Sequence, residues 1–195
     1  SVERIKQLAD AGIGAIVLKS IFEEQINNEV THMLAKDQHN VGYPEAEDYI
    51  KNYMRDNTVT KHLELVKQAK EAVDIPIIAS VNCVSSKEWT TFAKDFEEAG
   101  ADAIELNIFY LPTDRHEKPG MIEQLYLDVL EKVKSEVTIP VSVKFGLNHS
   151  NIIGMADKLK ANGAAGVVMF NRFYEPDINL DKLELVASEV FSWPS

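Results

Sequence analysis

The stretch that decides the fold is Ala99-Gly100-Ala101-Asp102-Ala103-Ile104-Glu105-Leu106-Asn107. A glycine ends the helical pattern before it, an apolar strand follows, and the strand ends on a polar side chain. The same frame occurs at residues 11–19 and, one residue longer, at residues 162–171. The repeated unit is therefore a helix, a glycine stop, a buried strand and a polar tip.

Two further strands begin with Ile-Pro, at residues 75–82 and 139–144, where proline is tolerated because it stands at the start of the strand. The segments between the strands carry apolar residues at helical spacing, and one of them opens with a capping box at residues 85–88 (Ser-Ser-Lys-Glu). The three apolar stripes are Trp89, Phe92, Ala93, Phe96 and Ala99; Ile122, Leu125, Val129 and Val133; and Ile152, Met155, Ala156 and Leu159. Apolar strands that alternate with amphipathic helices predict a parallel sheet covered by helices.

Such a sheet is either a barrel or a doubly wound open sheet. The chain has no G-x-G-x-x-G between a strand and a helix, and its regular polar-tipped repeats favour a (β/α)8 TIM-type barrel. The strands end at Lys19, Asn82, Asn107, Lys144 and Asn171. A closed barrel has about eight strands, so residues 1–195 are predicted to be one incomplete domain that lacks the first strand and the last βα units. Residues 21–74 form one long excursion, with a loop at 39–44 over the barrel mouth and a helix at 60–72.

Composition excludes several classes of protein. The 195 residues are 45% hydrophobic, which suits one core. A net charge of −11 argues against binding to nucleic acid or anionic lipid. Cys83, the single cysteine, cannot form an internal disulfide, and no long apolar run or leader pattern is present. These features predict a cytoplasmic protein.

The polar tips are the candidate site, because the C-terminal ends of barrel strands converge on one face. A single asparagine or lysine at a strand end is most often solvated or caps a loop. The prediction of a site therefore rests on the occurrence of such residues at all of these strand ends together. Lys144 adds weight, since it places a charge inside an apolar strand, where desolvation is costly. Amides and lysines together suit flavin or pyrimidine recognition; no metal site is predicted. The predicted site residues are Lys19, Ser20, Asn82, Asn107, Lys144 and Asn171.

At these residues the chain resembles the dihydroorotate dehydrogenase family of FMN-dependent barrel enzymes. The resemblance rests on the order and spacing of residues 17–20 (Val-Leu-Lys-Ser), 22–24 (Phe-Glu-Glu), 104–107 (Ile-Glu-Leu-Asn), 141–144 (Val-Ser-Val-Lys) and 170–171 (Phe-Asn). It implies FMN as cofactor, a small dihydropyrimidine-type substrate and oxidation by hydride transfer to the flavin. We also expect a homo-oligomer.

Carried over residue by residue, the resemblance assigns roles to the strand tips. Lys19, Ser20 and Lys144 would contact the flavin, with Lys144 also catalytic. Asn107 and Asn171 would contact substrate, flavin or both. Asn82 is assigned to the flavin by its strand position only.

The chain departs from the family after the strand that ends at Asn107. Tyr110 stands where soluble members have a catalytic cysteine, and by this position the resemblance makes it a predicted catalytic residue together with Lys144. A phenol with a pKa near its ordinary value of about 10 is, however, a poor base at neutral pH. His116 titrates in a better range, although a loop histidine is more often merely exposed. Cys83 reads as a small buried apolar residue. The family's substrate loop corresponds at best to residues 39–44, and Arg172 replaces a small hydroxylated residue, where it would bind a carboxylate or block the pocket.

Two other functions remain open. The chain could be a ligand-binding barrel that has lost its base at position 110. It could also be an assembly module, because a partial barrel exposes sheet edges and apolar helix faces that need a partner.

Overall fold

Six of the strands that the structure describes pair in parallel, and five of them lie in the sheet in chain order. The structure, a computed structural model, describes residues 1–23, 44–83, 85–110, 116–118, 120–147, 149–171, 176–179 and 184–187. The helices are α1 (Val2–Asp10), α2 (Pro44–Ala72), α3 (Ser86–Glu98), α4 (Met121–Glu136) and α5 (Ile152–Ala161). The strands are β1 (Ile16–Val17), β2 (Ile21–Phe22), β3 (Ile77–Asn82), β4 (Ala103–Asn107), β5 (Val141–Phe145), β6 (Gly166–Met169), β7 (Pro176–Asn179) and β8 (Glu184–Ala187).

The main sheet has the order β1-β3-β4-β5-β6, and all of its pairs are parallel. A doubly wound sheet would reverse its strand order at a switch point, and this sheet does not. Its curl is that of a half-barrel, so the predicted incomplete TIM-type barrel is confirmed. β7 and β8 form a separate antiparallel pair that the sequence did not predict.

The helix-facing side of the sheet forms the core. Along β5, Val141, Val143 and Phe145 are buried, whereas Ser142 and Lys144 between them are half-buried on the opposite, barrel-interior side. All five residues of the predicted α3 stripe are buried. The stripe on α4 is wider than predicted, because Tyr126 and Leu130 are buried as well.

The glycine stops have the predicted conformation. Gly12, Gly100 and Gly163 have φ values of 86°, 95° and 85°, in the left-handed region that side chains other than glycine rarely adopt. The cap of α3 is also as expected, since Ser85 Oγ accepts from the N–H of Glu88 at 3.2 Å. The N–H of Ser85 in turn donates to Glu23 Oε2 at 3.1 Å, which ties the segment after β2 to the start of α3.

The predicted start of α2 is wrong. The helix begins at Pro44 rather than at residue 60, with proline at its first position, where the missing N–H costs nothing. The signal for the earlier start was present in the sequence, because apolar residues recur at helical spacing at Ala46, Tyr49, Ile50, Tyr53 and Met54. Pro44 therefore belongs to a helix, and residues 39–43 of the predicted mouth loop lie outside the described residues.

The edge of the sheet contains a β-bulge between β1 and β2. Val17 pairs with Ile78 and Ile21 pairs with Val81, so four steps along one strand match three along β3. Residues 19 and 20 together therefore stand opposite the single Ser80. Bulges of this kind re-aim side chains beside active sites, and here the re-aimed residues are two predicted flavin contacts.

Candidate active site

The strand tips lie side by side at the carboxyl edge of the sheet. Asn107 pairs in register with Lys144, and Val81 with Leu106, so Asn82, Asn107 and Lys144 occupy matching positions on β3, β4 and β5. Because side chains alternate along a strand, these three face the barrel interior. Ser20 and Asn171 join them through hydrogen bonds to the same loop and strand ends. The structure thus brings together five of the six predicted residues, and Lys19 lies exposed at the bulge beside them.

The amides of Asn82 and Asn171 have a fixed orientation. Asn82 Nδ2 donates to the carbonyl oxygen of Asn107 at 2.8 Å, and Asn171 Nδ2 donates to that of Ile108 at 3.2 Å. A backbone carbonyl can only accept a hydrogen bond, so the nitrogen of each amide must face it. The amide oxygen of each residue is then the group left for a ligand.

Asn107 is held by side chains rather than by backbone. It is 6% exposed, and its Nδ2 donates to Ser20 Oγ at 3.1 Å. Ser20 Oγ lies 2.7 Å from Ser80 Oγ, and Ser80 Oγ donates to Glu105 Oε1 at 2.7 Å. Asn107 Oδ1 is buried and has no hydrogen-bond partner among the residues that the structure describes. The site therefore contains a buried acceptor of the kind that a ligand N–H would satisfy.

Sequence reasoning missed Ser80 and Glu105. Glu105 is 3% exposed on β4, two residues before Asn107 and on the same face. The signal was present, because a carboxylate inside an apolar strand is as costly to bury as the ammonium of Lys144. The serine could not be found in this way, since its contact with Glu105 depends on the register of two strands.

The two lysines differ in their surroundings. Lys144 is half-buried between Val143 and Phe145, whereas Lys19 is exposed. Neither side chain makes a hydrogen bond or ion pair within the part of the chain that the structure describes. Both ammonium groups are thus available to an electron-rich ligand at this edge.

The loop after β4 is anchored through the backbone of Ile108. Its N–H donates to the carbonyl oxygen of Lys144 at 3.2 Å, and its carbonyl oxygen accepts from Tyr126 Oη at 2.9 Å as well as from Asn171. Burial raises the pKa of Tyr126 to about 12, so this phenol stays protonated and keeps donating. Strand ends from β4, β5 and β6 are joined at this one peptide.

Tyr110 follows this anchor and is 39% exposed. Its hydroxyl donates to a carboxylate oxygen of Glu117, a partner that the sequence did not single out. The other oxygen of Glu117 is buried and has no hydrogen-bond partner in the described ranges. His116 is exposed, and Cys83 is buried as predicted. Arg172 lies outside the described residues.

His149 lies in the loop after β5 in an aromatic environment. Its side chain is 1% exposed, and its ring stands edge-on to those of Tyr126 and Phe145, with centroids at 5.0 and 5.2 Å. Its Nδ1 is 3.9 Å from Glu123 Oε1. Burial lowers the pKa of His149 below its ordinary value of 6.5, and the Glu123 carboxylate offsets part of that shift. The histidine is therefore packed as a neutral ring.

This burial predicts an acid-sensitive fold. An unfolded chain binds a proton at His149 more readily than the folded one, so stability is fully present above pH 6.5 and is lost as the pH falls through the lowered folded pKa. We expect the melting temperature to fall between pH 7.5 and about pH 5, and His149→Phe, which keeps the ring packing, to reduce that fall. An equal pH dependence in both proteins, followed by circular dichroism, would contradict the assignment.

No family model matches the chain, but curated proteins do. It is 28% identical over 194 residues to the catalytic subunit of dihydroorotate dehydrogenase B (NAD(+)) from Thermoplasma volcanium, covering 96% of the chain and 59% of the relative. The chain is a diverged relative of dihydroorotate dehydrogenases. It is also 26% identical over 174 residues to the NAD-dependent dihydropyrimidine dehydrogenase subunit PreA of Escherichia coli K12, covering 83% of the chain and 40% of that protein. The chain thus spans only part of these relatives.

Solved structures support the fold alone. A dihydrodipicolinate synthase from Agrobacterium tumefaciens superposes with a TM-score of 0.53 at 12% identity, over 86% of this chain and 46% of that one. Phosphonopyruvate hydrolase in complex with oxalate and Mg++ gives 0.51 at 17% identity, over 84% and 53%. Within the described residues, no helix has the length and apolarity needed to cross a bilayer, and no group of three or more His, Cys, Asp or Glu side chains could hold a metal ion.

Proposed function

We propose that the protein containing this chain is an FMN-dependent oxidoreductase that oxidises dihydroorotate or a related dihydropyrimidine. The observation that carries the proposal is the edge formed by Asn107, Lys144 and Asn171, where a buried amide oxygen and an ammonium face the barrel interior. Neither group has a hydrogen-bond or ion-pair partner among the described residues. A flat heterocycle with N–H and carbonyl groups matches these groups, and both flavins and pyrimidines are of this type. The names of the curated relatives agree with this class of reaction.

Different residues of the chain would bind the cofactor and the substrate. Lys19, Ser20, Asn82 and Lys144 would hold FMN, with Lys144 stabilising negative charge on the ring edge. Asn107 and Asn171 would orient the substrate through their amide oxygens. When bound, FMN supplies the hydride acceptor, and the protein supplies position and charge.

Tyr110 is the proposed site of proton transfer, in place of the family's cysteine. A proton taken from the substrate carbon by the phenol oxygen would be matched by transfer of the phenol proton to Glu117, whose carboxylate already accepts it as a hydrogen bond. In this relay the substrate proton would displace the phenol proton onto the Glu117 carboxylate, so the phenol would not have to act as an isolated base.

Tyr110→Phe is expected to lower kcat by roughly 10²–10⁴-fold while leaving FMN content unchanged, because only the hydroxyl is removed. Glu117→Gln should lower kcat less and shift the pH profile, since the proton acceptor behind the phenol is weakened. Rates are measured by stopped-flow reduction of the flavin. Full activity of Tyr110→Phe would exclude Tyr110 as the base and leave His116 as the candidate base.

The first test of the proposed function is the visible spectrum of the full-length protein. We expect a flavin spectrum, FMN on release of the chromophore, and bleaching on anaerobic addition of dihydroorotate or dihydrouracil. A colourless protein that also fails to take up added FMN would overturn the proposal.

A second candidate is a flavin- or ligand-binding barrel without turnover. It is favoured by the partly exposed position of Tyr110 and by the engagement of its hydroxyl with Glu117. A yellow protein that no dihydropyrimidine bleaches would support it. The expected homo-oligomer is tested separately by light scattering.

A further inference from the structure

We infer that Glu105 is a positioning residue: it sets the direction of a hydrogen-bond chain through Ser80 and Ser20, and thereby makes Asn107 Oδ1 a fixed acceptor for a ligand N–H. The inference deepens the proposed function, on which it rests for the class of ligand. None of the residues behind Asn107 needs to touch the ligand.

The donor-to-acceptor direction of this series of hydrogen bonds is set at Glu105, its last residue. Glu105 is buried, and its Oε1 accepts the hydrogen bond that Ser80 Oγ donates. Ser80 must therefore use its one hydroxyl proton on Glu105 Oε1, at 2.7 Å. Ser80 Oγ can then only accept in its 2.7 Å contact with Ser20, so Ser20 donates its proton there.

The donor-to-acceptor order of these hydrogen bonds also fixes the orientation of the Asn107 amide. Ser20 donates its hydroxyl proton to Ser80, so Ser20 Oγ can only accept a further hydrogen bond. The group that lies 3.1 Å from it must therefore be the amide nitrogen of Asn107. The amide oxygen is turned the other way, where it is buried and meets no hydrogen-bond donor within the described part of the chain. A buried acceptor without a partner is costly, and a ligand N–H would remove that cost.

The neighbouring strand supplies the complementary group. Lys144 is the register partner of Asn107, and neighbouring strands lie about 4.8 Å apart. An acceptor on one strand and an ammonium donor on the neighbouring strand are the two groups that the adjacent N–H and C=O of a cyclic amide require. The edge is thus built to select a ring N–H rather than a ring nitrogen that only accepts.

The test compares two probes, orotate and 1,3-dimethylorotate, which share their carbonyl groups but differ in their N–H donors. Dissociation constants are measured by calorimetry on the full-length protein as purified, with its FMN content determined on the same sample. The wild type is expected to bind orotate at least about tenfold more tightly than the dimethyl compound, as one hydrogen bond to a buried acceptor requires.

The variants Ser80→Ala and Glu105→Leu interrupt the series of hydrogen bonds at two different residues. In Ser80→Ala, the Ser20 hydroxyl loses its acceptor and can donate to the oxygen of Asn107, which turns the amide nitrogen toward the ligand. We expect the tenfold preference for orotate to fall toward one in both variants. Ser142→Ala is the matched control, because Ser142 pairs in register with Glu105 but donates to the carbonyl of Ile104, outside the chain.

A purely structural network would lower the melting temperature of these variants without changing the preference between probes. An unchanged preference in Ser80→Ala, or equal binding of both probes by the wild type, would overturn the inference even if FMN is present. Absence of FMN would instead overturn the proposed function, and calorimetry would still report the preference. If Glu105→Leu does not fold, Ser80→Ala decides.

Discussion

Replacing Phe145 with alanine is expected to destabilise the protein by about 3–5 kcal/mol, the usual range for removing a large aromatic side chain from a core. Phe145 is 0% exposed at the end of β5. Its ring contacts the rings of Tyr126, His149 and Phe170 edge-on, with centroids at 6.5, 5.2 and 6.3 Å. The substitution therefore leaves a cavity and also removes several aromatic contacts.

Urea denaturation followed by tryptophan fluorescence measures this loss, and Phe109→Ala is the control, because Phe109 is half exposed and leaves no cavity. We expect the control to change the free energy of unfolding by less than about 1 kcal/mol. Equal effects of the two substitutions would show that the ring cluster does not anchor the end of β5.

Lys144→Met is expected to lower the rate of flavin reduction by about 10²–10³-fold, the cost of removing one preorganised electrostatic contact. Methionine keeps much of the stem's volume and removes the charge that faces the site. The expectation rests on the proposed function, and it is measured by anaerobic stopped-flow with dihydroorotate at saturating concentration.

Lys132→Met serves as the control for Lys144→Met, since Lys132 is an exposed lysine on α4, away from the carboxyl edge. Its rate should equal that of the wild type. A rate within threefold of wild type for Lys144→Met would show that the ammonium of Lys144 does not act on the reacting ring.

The sequence predicts the features that depend on local pattern. Gly100 and Asn107 mark the two ends of one repeat, and both take the predicted places, because a left-handed helix stop and a strand tip are set by neighbouring residues. The start of α2 was missed although Ala46, Tyr49, Ile50, Tyr53 and Met54 recur at helical spacing. Local pattern thus contained this helix start as well, and the prediction did not use it.

Contacts that depend on the register between strands could not be predicted from the sequence. The contact of Ser80 with Glu105 joins residues 25 positions apart, and no periodicity shows which serine meets which carboxylate. The partner of Tyr110 was missed for the same reason, since Glu117 lies in an irregular loop. The site residues were therefore predictable as a set, but their hydrogen bonding was not.

The bulge between β1 and β2 has a consequence for how this protein can vary. Residues 19 and 20 share one partner position, so the length of the segment between Val17 and Ile21 is itself part of the site. Deleting one residue there would restore regular pairing with β3, and an insertion would turn the following side chains to the other face. We therefore expect homologous chains that keep this site to keep the length of this segment, because a gain or loss of one residue is incompatible with a lysine and a serine presented together.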